Sequence, residues 1–196
     1  MPDKEIRTHI AELRVEDADG KPKITGYPAV FDSLSQNLGG FREKIRRGAF
    51  KETIEIDDVR ALFNHDPNYV LGRTKNGSLT LQETDRGLKF EVEPPEAQWA
   101  NDLMASIRRK DVDQGSFAFF VESPDDEHWE KDENGLVREL RRVRLHDVSV
   151  VTYPAYLETS ISARTLEQKQ KELDGDGAKP STLDLRLKEL LLREKE

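Results

Sequence analysis

Apolar and polar residues alternate along most of the first two thirds of the chain, in short runs cut by Gly, Pro, Asn and Asp. A period of two belongs to strands with one buried face, whereas a helix repeats every three or four residues. The runs "IRTHIAELRV" and "KITGYPAVF", joined by the turn signal "DADGKP", predict an opening hairpin. "VRALFNH" predicts a strand with Val59, Ala61 and Phe63 on one face; it ends in the turn former "HDPN", which leaves His65 at a strand end. In "VLGRTKNGSLTLQETDRGLKFEVE", the turn signals Asn76-Gly77 and Asp85-Arg86-Gly87 separate three alternating runs and predict an antiparallel meander. "GSFAFFVE" and "VRELRRVRLHDVSVVTYPA" complete the strands, with "DDEHWEKDENGLV" between them expected as an acidic loop.

Helical spacing is rarer. In "PPEAQWANDLMASIRRKD" Ala100, Leu103, Met104 and Ile107 recur at three and four residues, and basic residues gather at the end, where a helix favours them. A short helix is expected around Phe41 to Arg46, after the loop "SLSQNLGG". The fold class is therefore α+β, mainly antiparallel β, with a few helices. A chain of 196 residues suits one domain plus tails. Charged residues reach 36%, high enough to place part of the chain outside the core. The division expected is a folded domain over 1–164, a flexible linker over 165–182 ("LEQKQKELDGDGAKPST" is polar and rich in turn formers) and a C-terminal amphipathic helix over 183–196. Leu183, Leu187, Leu190 and Leu191 fall on one face of that helix, which is too short to be stable alone and needs a partner. That partner is its own domain, another copy or another protein.

Several functions are excluded by composition. The absence of cysteine removes disulfides, thiolate zinc sites and a cysteine nucleophile. A net charge of -8 argues against nucleic-acid binding, which draws most of its affinity from neutralising phosphates. The start "MPDKEIRTHI" is charged, and no apolar run approaches a membrane span, so the chain reads as cytoplasmic and soluble. There is no phosphate-binding glycine loop, and "LGG" at 38–40 lacks the lysine and the preceding strand. His65-Asp66 and His146-Asp147 pair imidazole with carboxylate, but adjacent strand residues point to opposite faces, and no recognised metal-ligand spacing occurs. No metal or cofactor is expected.

In "DQGSFAFFVE" Ser116 is either a polar strand residue or a nucleophile held on a rigid strand. A hydroxyl becomes reactive when an imidazole takes its proton and a third group fixes the imidazole's tautomer. Of four histidines, His9 and His128 lie among charged residues, whereas His65 closes an apolar strand at a turn, held yet accessible. Asp147 enters an otherwise apolar strand.

In the same order along the chain, "GYPAVFDSLS", "FREKIRRGAF", "ALFNHDPNYVLGRT", "QGSFAF" and "LHDVSVVTYPAY" resemble the prohead (capsid maturation) serine proteases of tailed phages, the HK97-like family. The likeness runs from about Glu5 to Arg164. It implies a herpesvirus-protease-like β-barrel with a few helices and a flexible C-terminal tail. It also implies a serine endopeptidase with His65 and Ser116 as base and nucleophile, and Asp147, or else its neighbour His146, as the third member. Backbone N–H groups and Arg164 are candidate oxyanion donors, and Gly115 is expected to admit a substrate backbone or to mark a bulge. The implied substrates are the major capsid protein or its scaffolding segment, and the chain itself, cut in the polar stretch after Arg164. The implied place of action is the host cytoplasm, inside the immature capsid (prohead). A homo-oligomer is left open, as is a non-catalytic assembly or scaffold protein that retains the fold.

Overall fold

Among the described residues the alternating runs become twelve strands. The computed structural model describes residues 3–18, 20–153, 161 and 163–175. In chain order the strands are β1 (Glu5–Ile10), β2 (Arg14–Ala18), β3 (Lys21–Val30), β4 (Phe41–Ile45), β5 (Arg60–Phe63), β6 (Asp66–Arg73), β7 (Leu79–Glu83), β8 (Gly87–Val92), β9 (Gln114–Phe120), β10 (Glu127–Asp132), β11 (Gly135–Leu140) and β12 (Arg144–Val151). The helices are α1 (Lys51–Ile56), α2 (Gln98–Arg109) and α3 (Ala163–Gly175). Three sheets result, in the orders β1-β9-β12-β5-β6, β10-β11-β4 and β2-β3-β8-β7. Pairing is antiparallel except for β12 with β5 and β11 with β4. The fold is α+β with antiparallel-rich sheets, and among the described residues no sheet closes on itself as a barrel.

One large core joins the five- and four-stranded sheets, with Leu13, Ile24, Phe50, Leu88, Phe90, Phe117 and Phe119 buried in it. α2 adds Leu103, Met104 and Ile107 to this core, as its helical spacing requires. β9 and β12 lie inside their sheet and are covered on both faces, so their middles read as near-continuous apolar runs.

Five expectations are corrected. The first run is not one strand of a hairpin: β2 pairs with β3, but β1 pairs with β9 in another sheet. The crossing is made at Ala11 to Leu13, where Glu12 takes a left-handed backbone (φ 49) and its two neighbours are fully buried. Residues Phe41 to Ile45 form β4 rather than a helix, since Phe41, Glu43 and Ile45 are buried alternately. The meander is split, because β6 pairs with β5 and only β7 and β8 stay together. The acidic loop is the β10–β11 hairpin, turning at Asn134-Gly135 and burying Trp129 and Arg138. Finally, α3 occupies the first part of the expected linker. Its Leu166 and Leu173 pack on a second apolar cluster of Leu38, Phe41, Trp129 and Leu136. The expected helix over 183–196 lies outside the described residues.

A buried ion cluster ties β1 to the small sheet. Arg138, 3% exposed, donates to Glu5 at 2.6 and 2.9 Å, to Glu43 at 3.0 Å and to Glu127 at 2.6 Å. Arg7 donates to Glu43 at 2.7 and 2.9 Å and to Glu5 at 2.7 Å. Every charge in the set has an opposite partner, the condition for ions to sit in a low-dielectric interior. Burial favours the neutral form of Glu5, but the hydrogen bonds and charges of Arg138 and Arg7 outweigh it and hold the carboxyl below its ordinary value. A depressed folded-state value makes this stabilisation complete above the ordinary 4.5, and it is lost as pH falls below that. Arg138→Met should therefore lower the unfolding free energy by about 3–5 kcal/mol in denaturant titration. The difference from the parent chain should shrink in acid, where Glu5 takes up a proton.

Candidate active site

Ser116 stands in the middle of β9, directly opposite Thr8 of β1 on one side and Ser149 of β12 on the other. Directly opposed strand residues share a face, so the three hydroxyl side chains form a row across the sheet. Ser116 is fully buried, at 0% exposed.

His65 reaches this row from the tight turn after β5. Asn64 and His65 both have left-handed backbones, with φ of 54° and 56°. For residues other than glycine that conformation costs roughly 1–2 kcal/mol each, least for Asn, so the surroundings must hold the turn in place. Asn64 supplies the hold. Its backbone N–H donates to the Val150 carbonyl at 2.9 Å, and its side-chain oxygen accepts from the Thr152 N–H at 2.9 Å. The turn carrying His65 is thereby fastened to the end of β12.

Asp147 is placed by an irregularity in β12. Leu145 pairs with Phe119 and Asp147 with Ala118, so His146 is an extra residue, a β-bulge. His146 turns outward, exposed, and its ring meets Phe120 edge-on at 5.8 Å. Asp147 turns inward and is 2% exposed. The start of β12 is fixed upstream of the bulge, where Thr53 of α1 accepts from the Leu145 N–H at 2.8 Å. Arg144 also pairs with Asp57 just after α1, one contact being 2.7 Å. Burial alone would raise the Asp57 carboxyl, but hydrogen bonds from Arg144 and Thr53 outweigh it and hold the group below its ordinary range.

Three of the residues singled out in the sequence are thus brought into one line. His65 Nε2 lies 2.7 Å from Ser116 Oγ, and His65 Nδ1 lies 2.5 Å from Asp147 Oδ1. A carboxylate beside Nδ1 requires the proton there, which leaves the Nε2 lone pair facing the hydroxyl. The His65 side chain is 14% exposed, closed to bulk water yet open on one side. Ser116 Oγ has a second acceptor in the Arg7 carbonyl at 2.8 Å, and it accepts from Thr8 Oγ1 at 3.3 Å. Its single proton therefore divides between His65 and the backbone of β1.

Other candidates fall elsewhere. His9 and His128 are exposed, the latter on β10 rather than in a loop. Arg164 is exposed on α3, the helix that packs against β10 and the Phe41–Trp129 cluster. Gly115 admits the protein's own chain rather than a substrate, since a side chain there would meet the Ala11 Cβ at 2.5 Å and the Pro28 Cα at 3.2 Å. Sequence reasoning overlooked Asn64, Thr8 and Ser149. Ser149 alone carried a signal, being two residues from Asp147 and so on the same face of a strand.

A hydroxyl, an imidazole and a carboxylate in one hydrogen-bonded line on an antiparallel-rich scaffold have the form of a serine hydrolase relay. The sequence agrees with that form: residues 9–172 match the family described as caudovirus prohead serine protease, and the chain belongs to that family. Among solved structures it is similar to that of the bacteriophage T4 capsid assembly protease, gp21, with a TM-score of 0.52 and 13% identity over 78% of this chain and 99% of that one. At that identity the likeness is one of fold. No curated protein matches the chain. Among the described residues no helix is long and apolar enough to cross a membrane.

The clamp on His65 is open to test by stability. Asn64→Ala should cost about 1–2 kcal/mol in denaturant titration, from a left-handed alanine and a lost hydrogen bond to Thr152. Asn64→Gly, which tolerates the backbone, should cost less than the alanine.

Proposed function

We propose that the chain is the serine endopeptidase of prohead maturation, with Ser116 as nucleophile, His65 as general base and acid, and Asp147 as the group that orients His65. The observation that carries this reading is the unbroken line from Asp147 through His65 to Ser116, at 2.5 and 2.7 Å. In the reaction His65 Nε2 takes the Ser116 proton as Oγ attacks the scissile carbonyl, and then delivers it to the leaving amine. Water attacks the acyl-enzyme by the same route in reverse. Asp147, nearly dry, holds the Nδ1 proton in place and stabilises the imidazolium that forms. His146 takes no part, because the bulge directs it to solvent.

The substrate proposed is the major capsid protein or its scaffolding segment, cut inside the immature capsid, together with the chain itself. Family membership and the fold likeness to a capsid assembly protease support this assignment. The relation to the barrel of herpesvirus assembly proteases belongs to the same reading. A second reading, a non-catalytic assembly module, is favoured by one observation: Ser116 is wholly buried and its hydroxyl is also bonded to the Arg7 carbonyl.

Intact-mass analysis separates the two. The chain incubated alone and with the capsid protein of the same phage should yield fragments, and Ser116→Ala should yield none while staying folded. Asp147→Asn should slow cleavage by roughly four orders of magnitude, as expected when the imidazole is held in the wrong tautomer. His146→Ala should cleave at close to the parent rate. Intact chains in every mixture would favour the assembly module; equal cutting by Ser116→Ala would remove Ser116 from the chemistry.

A further inference from the structure

Ser149 lies directly opposite Ser116 across the β9–β12 pair and is 2% exposed. Its Oγ is 2.8 Å from Asp147 Oδ1 and 3.2 Å from His65 Nδ1, so it touches both the carboxylate and the Nδ1 side of the imidazole. Nothing in the mechanism above requires a fourth residue there, and an alanine or valine would suit a buried central strand as well or better.

With Asp147 as a carboxylate, hydrogen-bond chemistry assigns the protons around the group. Asp147, as a carboxylate, only accepts, so the His65 Nδ1 proton points to it. Nδ1, already protonated, cannot accept from Ser149, so the one Ser149 proton goes to Asp147 Oδ1 at 2.8 Å. The Ser149 oxygen then presents a lone pair to the Nδ1 proton at 3.2 Å. Ser149 thus bridges carboxylate and imidazole, donating to one and accepting from the other. Two acceptors facing Nδ1 favour the tautomer whose Nε2 lone pair meets Ser116. The donated hydrogen bond also satisfies Asp147 Oδ1 in a place that water scarcely reaches.

We propose that Ser149 is a positioning residue of the catalytic group, acting through its hydroxyl to hold Asp147 and to fix the tautomer of His65. This rests on the assignment of Ser116 and His65 made above. The prediction is specific to the hydroxyl rather than to the volume of the side chain, which a pair of isosteric β-branched residues can separate. Thr keeps the hydroxyl; Val replaces it by a methyl group in the same space.

The test uses the full chain and diisopropyl fluorophosphate, with phosphorylation followed by intact mass. In that reaction Ser116 Oγ forms a bond to phosphorus, fluoride leaves, and the hydroxyl proton passes to His65, so its rate reads activation of the nucleophile without a peptide substrate. Ser149→Thr should react within a few-fold of the parent, while Ser149→Val and Ser149→Ala should react roughly ten- to a hundredfold more slowly, the effect of an acceptor left short of its donor. In the resting proteins, nitrogen-15 NMR of the imidazole should show the Nδ1–H tautomer of His65 in the parent and in Ser149→Thr. It should show a mixture in Ser149→Val. Equal rates and equal tautomers for Thr, Val and Ala variants would overturn the role of Ser149, and so would a Thr variant as slow as Val. Labelling of Ser116→Ala at the parent rate is a different failure, that of the nucleophile assignment itself.

Discussion

Because side chains alternate along a strand, a slip of one residue between β9 and β12 would break up the row that Thr8, Ser116 and Ser149 form on one face. Register is therefore the constraint on which the site depends. The bulge at His146 adjusts that register locally, turning one ionisable residue out and bringing Asp147 in beside His65. Downstream of the bulge, Asp147 and Ser149 stay in step with Ala118 and Ser116, and the turn bearing His65 is tied to Val150 and Thr152 at the end of the same strand. The two groups that attend the imidazole and the anchors of its own backbone thus come from one strand, β12. Displacement of any one of them is resisted by packing that buries β12 on both faces.

The row continues into β1 at the edge of the sheet, which is held from outside by charge. Arg7 places its carbonyl on Ser116 Oγ while its guanidinium joins the buried cluster with Glu5, Glu43 and Arg138. An edge strand is ordinarily the easiest part of a sheet to displace. Here the ionic cluster ties it to β4 and β11, so the strand covering Ser116 is joined to a second sheet. The surroundings of Ser116 therefore depend on contacts far from its hydroxyl.

Much of this was legible in the sequence where periodicity was strong. The middle of β9, the strand leading to His65 and the helix over Gln98–Arg109 are legible in the pattern of residues; that pattern offered His65, Ser116 and Asp147 only as candidates, and the resemblance to the prohead proteases is what joined them. Two of the failures share a cause: a charged residue was read as exposed. Glu43 disguised β4 as part of a surface segment, and Arg138 and the acids around Trp129 disguised the β10–β11 hairpin as a loop, because the partners that make their burial tolerable lie in distant parts of the chain. The crossing of the first run between two sheets was hidden because pairing partners cannot be read from alternation. The bulge at His146 was invisible for the same reason; the alternation of His146 and Asp147 showed only that one of them faces inward, and the pairing with β9 decides which.

The central claim is that Ser116 is made nucleophilic by the imidazole 2.7 Å away. Peptide mapping after reaction with diisopropyl fluorophosphate addresses it most directly, compared between the parent chain and His65→Ala. The account predicts a single phosphorylated residue, Ser116, in the parent and almost none in the variant. Modification at another serine, or undiminished modification of Ser116 once His65 is gone, would contradict it.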